Sequence, residues 1–452
     1  TLTIPGSLTK IENSAFSGCS GLTTVIIEDG VTNIGGYAFS GCSNLQTITI
    51  PDSVTSIGTN MVDSESNVTI KCNSGSEAAK YAQEHNIKYE YLTQPSSEWQ
   101  YIDLDNYYIE ITGYTGSDSN LIIPGAIDGY WVGKIGDSAF SGNTSLTTVT
   151  IPSNVTSIGN HAFDGCSSLT TVEIPYGVSE IGYGAFVGCV NLTEIEIPNS
   201  VTSIEEATFL GCSSLTKIAI PDTVTNIGNG AFSGCSSLTE VTSDTVSSNV
   251  ESISERAFEG CSSLTKITIL DNVKTIDYSA FEGCSSLTEV TLYSVTNISR
   301  DAFKGCSNLT KITMPRIVSY AAFGVFEECN NLSEVAVVGG NGTVTNGASI
   351  YDIFSGYSSI KTLTIKSSVN SIGNSEFSGM TYIENINIEA GVTSIGDLAF
   401  SGCSNLKTLT IPDSVTSIGN SIVDSGSNVT IKGNTGSAAE EYAIKNGIRY
   451  TE

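Results

Sequence analysis

Apolar and polar positions recur along this chain in a fixed phase. In the stretch LTTVTIPSNVTSIGNHAFDGCSS, 23 residues from Leu146 to Ser168, the residues Leu146, Val149 and Ile151 form an L-x-x-V-x-I pattern. Its last two members alternate with polar neighbours, which is the signature of a short strand with one buried face. Pro152 ends that strand, since proline brings no N–H to a ladder. Val155 and Ile158 then face inward on a second side, and Gly159 allows the turn that follows. Ala162, Phe163, Cys166 and Leu169 complete the circuit.

The block is repeated nearly throughout. Its Phe stands at 16 and 39, then at 140, 163, 186, 209, 232, 258, 281, 303, 326, 354, 377 and 400, so fourteen of the fifteen phenylalanines fill one slot. Most spacings are 23; the exceptions are 26 before Phe258, 22 before Phe303 and 28 before Phe354. One such unit cannot bury its apolar face alone, whereas stacked copies share a continuous core. The predicted fold is therefore a repeat solenoid, a leucine-rich-repeat-like right-handed coil with a parallel strand ladder. Helix is expected only in short turns and C-terminal caps.

The run I-P-x-x-V-T-x-I-G-x-x-A-F-x-G-C-x-x-L, almost intact as IPDTVTNIGNGAFSGCSSL at 220–238, resembles the BspA-like class of bacterial leucine-rich repeat. Members of that class are mainly bacterial surface or secreted proteins, and some are adhesins for host matrix proteins such as fibronectin or fibrinogen. The resemblance implies a class of function and names no ligand.

Two segments are near copies, residues 49–89 and 410–450. In both the Phe slot is lost, an NVTIK strand follows, and Ser76 or Ser437 stands where an N-cap opens a helix. Glu440 is placed to complete a capping box with Ser437. Ala79, Ala82 and Ile87, like Ala439, Ala443 and Ile448, suit a helix and tail laid over the open end of a solenoid. The expected organisation is the end of a first array with its cap (1–91), a linker (92–100), an N-terminal cap (101–139), a second solenoid (140–407) and its C-terminal cap (408–452). Trp99 and Trp131 are expected to plug the end of the second core.

Charge narrows the partners. Against 47 Asp and Glu stand 19 Lys and Arg, a net charge of -28, so the field repels nucleic acid phosphates and anionic membrane surfaces. No stretch has the length of a membrane span, and the first residues read as the middle of a repeat. The sequence is expected to be a piece of a longer polypeptide at the bacterial cell surface or outside the cell, with signal and anchor segments outside it.

The chemistry-bearing residues favour packing over catalysis. Eleven of the twelve cysteines fill the G-C slot three after Phe, where Asn143, Tyr357 and Met380 substitute. A slot that also takes Tyr and Met is a packing position, so buried free thiols are expected rather than disulfides or a metal site. Cys72, which is Gly433 in the sister cap, is the expected exposed thiol. His85 and His161 read as surface residues with no orienting partner, and Asp103, Asp105 and Asn106 as a polar turn. Nothing implies a cofactor, and no enzyme activity is expected.

The outward strand positions form ladders. Before the first buried strand residue, Glu194, Lys217, Glu240, Lys266, Glu289, Lys311 and Glu334 alternate in sign over seven repeats. Alternation replaces like-charge repulsion by attraction, at about 0.2–1 kcal/mol per pair. Two positions on, a row through Glu173 and Glu196 is otherwise mostly Thr, Ala and Asn, and the two rows are expected to make a polar ribbon. The insertions at 243–252 and 337–352 are the individual loops. The expected function is a non-enzymatic surface module that binds an extracellular protein or glycan through that ribbon; the alternative is a rigid stalk.

Overall fold

The computed structural model describes residues 1–63, 66–73, 76–92, 98–104, 107–128, 130–242, 249–269, 272–339 and 348–452. Residues 93–97 of the linker, 243–248 and 340–347 of the two insertions, and Asp105 with Asn106 lie outside the described residues. The chain is a β-solenoid of short parallel strands and tight turns, with three short helices among the described residues. It divides into two compact units: Thr1–Ser141, Ser145–Ala162 and Val172–Glu180 form one, and Gly142–Thr144, Phe163–Thr171 and Ile181–Glu452 form the other.

In the first unit, strands Leu2–Ile4, Thr24–Ile27, Thr47–Thr49, Thr69–Cys72 and Lys88–Tyr91 make one parallel sheet, and Lys10–Ile11, Asn33–Ile34 and Ser56–Ile57 make another. Helix α1 (Glu77–Glu84) covers the end of this array with Ala78, Ala79, Tyr81 and Ala82 buried. Ser76 is its N-cap and accepts the Ala79 N–H, as the sequence pattern requires. Further along, Tyr108–Tyr114 pairs antiparallel with Trp99–Asp103 and parallel with Tyr130–Ile135. Trp99 and Gln100 are thus strand residues rather than linker. Trp99 is buried against Tyr114 and Phe140, at ring distances of 4.6 and 6.4 Å. Trp131 is only half-buried on its strand, so full burial at this end belongs to Trp99.

In the second unit, one parallel ladder of eleven strands runs from Lys217–Ala219 to Arg449–Thr451. A second ladder, made by the V-x-x-I positions, has six strands from Ser203–Ile204 to Tyr320–Ala321 and three more from Ser371–Ile372 to Ser417–Ile418. Between these two runs, Ala348–Ser349 pairs antiparallel with Ile317–Val318, and helix α2 (Ile350–Phe354) follows. This helix is absent from the sequence reading, and its capping box joins Ser349 to Asp352. Helix α3 (Ala438–Asn446) buries Ala439, Tyr442 and Ala443. Ser437 caps it by accepting the Glu440 N–H, but the Glu440 carboxylate accepts the Gly436 N–H instead of closing the expected box.

Phe and Cys columns fill the core. From Phe163 to Phe326 the rings stack with centroids 5.2–5.6 Å apart and planes within 12°. The cysteines are free, and all but Cys19 are buried. They do more than fill space: Cys189, Cys212 and Cys235 each donate to the Phe carbonyl of the preceding repeat, at 3.1–3.2 Å. Cys72 is fully buried, contrary to expectation, because the Thr69–Cys72 strand turns it under the cap helix, where the Ser76 hydroxyl meets it.

A turn residue two before the Phe slot carries a backbone constraint that the sequence does not announce. Ser14, Tyr37, Ser138, His161, Ala207, Arg256, Ser279, Asp301, Ser375, Leu398 and Ser421 all have φ between 49° and 59°, the left-handed region. The reason lies in the neighbouring turn: Ser138 and Arg256, for example, aim their N–H at the carbonyls of Asn160 and Tyr278 in the next repeat. Non-glycine residues hold this conformation at about 1–2 kcal/mol each. No Val, Ile or Thr occupies any of these positions.

Two outcomes follow. Ser138→Gly is expected to raise stability by about 0.5–1 kcal/mol, the relieved strain less the added freedom of the unfolded chain, while Ser138→Val should lower it by about 1–2 kcal/mol in urea unfolding. Burial raises the Cys166 and Cys284 thiols to about 12 and the Cys72 and Cys403 thiols to about 11. These groups stay protonated in the fold but ionise in the unfolded chain above about pH 9. Stability is therefore level below that pH and falls above it, by about 1.4 kcal/mol per pH unit for each such thiol, which urea midpoints at pH 7.5, 9 and 10 under reductant will register.

Candidate interaction surface

The strand pattern turns Ile218, Ile267, Val290, Ile312 and Val335 into the core and so sends the preceding residue of each strand outward. Pairing then places Lys217 beside Glu240, Glu240 beside Lys266, Lys266 beside Glu289, Glu289 beside Lys311, and Lys311 beside Glu334. Ion pairs bind Lys217 to Glu240 at 3.8 Å, and Lys311 to Glu289 and Glu334 at 3.9 and 3.4 Å. The side chains of Lys217 and Glu240 are 67% and 56% exposed, so their attraction is worth at most about 1 kcal/mol and leaves both groups open to a partner.

Glu194 keeps this register but not the continuous sheet. Its strand shrinks to Glu194–Ile195 and belongs to a different sheet, while the isolated parallel bridge from Glu196 to Ala219 has the offset that sets Glu194 beside Lys217. Six charges rather than seven share one continuous ladder. Glu173, Glu194 and Glu196 are all exposed.

The second row is open over part of its length. Glu173, Glu196, Ala219 and Asn387 are exposed, while Thr313, Ala336 and Thr364 are buried. Long side chains from the first row and its flank lie across them: the Thr364 hydroxyl donates to Glu334 at 3.0 Å, and Lys366 donates to Glu389 at 2.7 Å. The pairing with Lys366 holds the Glu389 carboxyl below the usual range. The charged ribbon is consequently most accessible over Lys217 to Glu289 and self-covered beyond Lys311.

A second alternating column went unread in the sequence. One position before the first row, Lys361, Glu384 and Lys407 pair in order, and the two lysines hold the Glu384 carboxyl below its ordinary value. In earlier repeats the same slot is Thr, and the hydroxyls of Thr193, Thr216 and Thr239 donate to the carbonyl of their counterpart one repeat back. The signal was present as a Leu-Thr pair in most blocks, but a hydroxyl bonded to backbone looks like any surface threonine.

His85 is half-buried, with its ring stacked on Tyr81 at 4.2 Å and Nδ1 2.9 Å from the Tyr81 carbonyl, so it packs on the cap helix instead of standing in solvent. His161 is likewise half-buried in a left-handed turn. Among the described residues no group of three or more His, Cys, Asp or Glu side chains is placed to hold a metal ion, and no helix is long and apolar enough to cross a membrane. A small cavity is lined by Phe354, Tyr357, Met380 and Tyr382, where Tyr357 and Met380 take the cysteine slot.

Comparison with known proteins finds leucine-rich repeat proteins of bacteria. The chain is 30% identical to a leucine rich cell surface protein from Faecalibacterium prausnitzii, over 78% of this chain and 97% of that one, with a TM-score of 0.42. It is 26% identical to a leucine-rich repeat protein from Bacteroides ovatus, over 80% and 99%, with a TM-score of 0.46. To the leucine rich repeat protein of T. pallidum it is 32% identical over 48% and 91%, with a TM-score of 0.37. Comparison with curated protein sequences returns no match. The model of the BspA type leucine rich repeat region, in six copies, matches residues 1–105, 133–261, 239–348 and 348–437. The chain belongs to the BspA-type leucine-rich repeat family.

Proposed function

We propose that this chain is a non-enzymatic binding module at the bacterial cell surface, or secreted from it, that holds an extracellular protein or glycan against the outward face of its eleven-strand ladder. One observation carries the reading: Lys217, Glu240, Lys266 and Glu289 stand exposed at one register position on consecutive strands. A row of rigidly spaced charges of both signs discriminates among partners by matching their pattern, and contributes orientation and on-rate more than raw affinity. The surface location goes with the family, and the Faecalibacterium prausnitzii relative is described as a cell surface protein.

The stacked Phe column also supports the alternative of a rigid spacer, since such a core resists bending. The two readings part on a single comparison. Screened against extracellular matrix proteins and glycans by surface plasmon resonance, the chain is expected to bind at least one. The double reversal Lys217→Glu with Lys266→Glu should weaken that binding about tenfold or more through on-rate and salt dependence. A spacer predicts silence across the panel and tolerance of a deletion of four central repeats.

A further inference from the structure

The second ladder lacks one rung, and two side chains stand in for it. Each repeat normally passes its backbone bonds to the next: the Gly396 N–H, for instance, donates to the Ile372 carbonyl one turn back. In the repeat that ends at Phe354 the second strand is rerouted antiparallel onto Ile317–Val318, so Tyr320–Ala321 and Ser371–Ile372 are the end strands of separate sheets. At this break the Arg316 guanidinium donates to the Ser371 carbonyl at 2.8 Å and lies 3.4 Å from the Glu376 carboxylate. Glu376 in turn accepts the Gly373 N–H at 2.6 Å, the bond that Gly396 makes to backbone.

Both residues depart from the repeat in ways packing does not require. Glu376 takes the slot held by Ala162, Ala185, Ala231 and Ala399, and it is an acid only 15% exposed. Arg316 reaches across 55 residues of chain to Ser371. The first ladder, by contrast, continues without a gap through Lys311–Pro315, Glu334–Val338, Thr362–Ile365 and Asn385–Ile388.

We infer that this break is a one-sided joint in the solenoid, held shut by the Arg316–Glu376 latch on the second ladder and hinged on the unbroken first ladder. Opening it frees the edge of the Ser371–Ile372 strand while the eleven-strand sheet stays paired. The latch is ionic and partly exposed, so salt weakens it, whereas the hydrogen bonds of the continuous ladder are insensitive to salt.

Hydrogen exchange followed by mass spectrometry tests this. In Arg316→Ala, amides in residues 366–380 and 317–322 are expected to exchange at least about tenfold faster, the scale of a lost charge-assisted bond, while residues 217–242 keep their wild-type rates. Glu376→Gln retains an acceptor for Gly373 and should fall between, and 1 M NaCl should shift the wild type in the same direction. Unchanged exchange at 366–380 in Arg316→Ala would overturn the joint. A uniform rise along the whole array, or outright loss of folding in that variant, would do the same, because the first ladder is then not holding alone.

Discussion

The structure depends on backbone bonds that each repeat cannot make for itself. The Phe163, Phe186, Phe209 and Phe232 N–H groups donate to the carbonyls of Ala185, Thr208, Ala231 and Ala257, each in the following repeat, at 2.8–2.9 Å. A buried amide without such a partner is costly, so a lone turn of this coil is not stable and a stack is. The Phe rings and the thiols follow from that bonding. They occupy the volume enclosed when amides at intervals near 23 residues are brought into register.

Much of this was legible because identity at a slot reveals environment. Phe163 and its counterparts, the V-x-I strands and the Ser76 and Ser437 caps were all readable as period, alternation and capping chemistry, and they stand where those patterns put them. Cys72 was misread because its sister residue is Gly433, and a small residue was taken as a sign of exposure; in fact both sit against a cap helix, and a Cβ on Gly433 would lie 3.1 Å from Ala439. The left-handed turns were invisible because Ser14, Tyr37, His161 and Leu398 share no chemistry, only a dihedral angle.

The surface was legible in sign but not in accessibility. Alternation from Lys217 to Glu334 could be counted along the chain, and strand pairing bears out the register. Which of those charges face solvent depends on the reach of Glu334 toward Thr364 and of Lys366 toward Glu389, side-chain conformations that no period encodes. The same holds for Arg316 and Glu376, whose partnership spans a rerouted strand and appears in the sequence only as two residues out of character.

The cap tyrosines carry a consequence for how such chains grow. In the final repeat under α1 the Met61 N–H donates to the Tyr81 hydroxyl oxygen at 2.7 Å, and under α3 the Ile422 N–H donates to Tyr442 at 2.9 Å. One phenol thus terminates the coil at the same slot in both copies, whatever number of turns lies upstream. Because the stopper reads only the last turn, gene duplication can insert or delete whole coils without any change to the terminus, and array length is free to evolve independently of the closure.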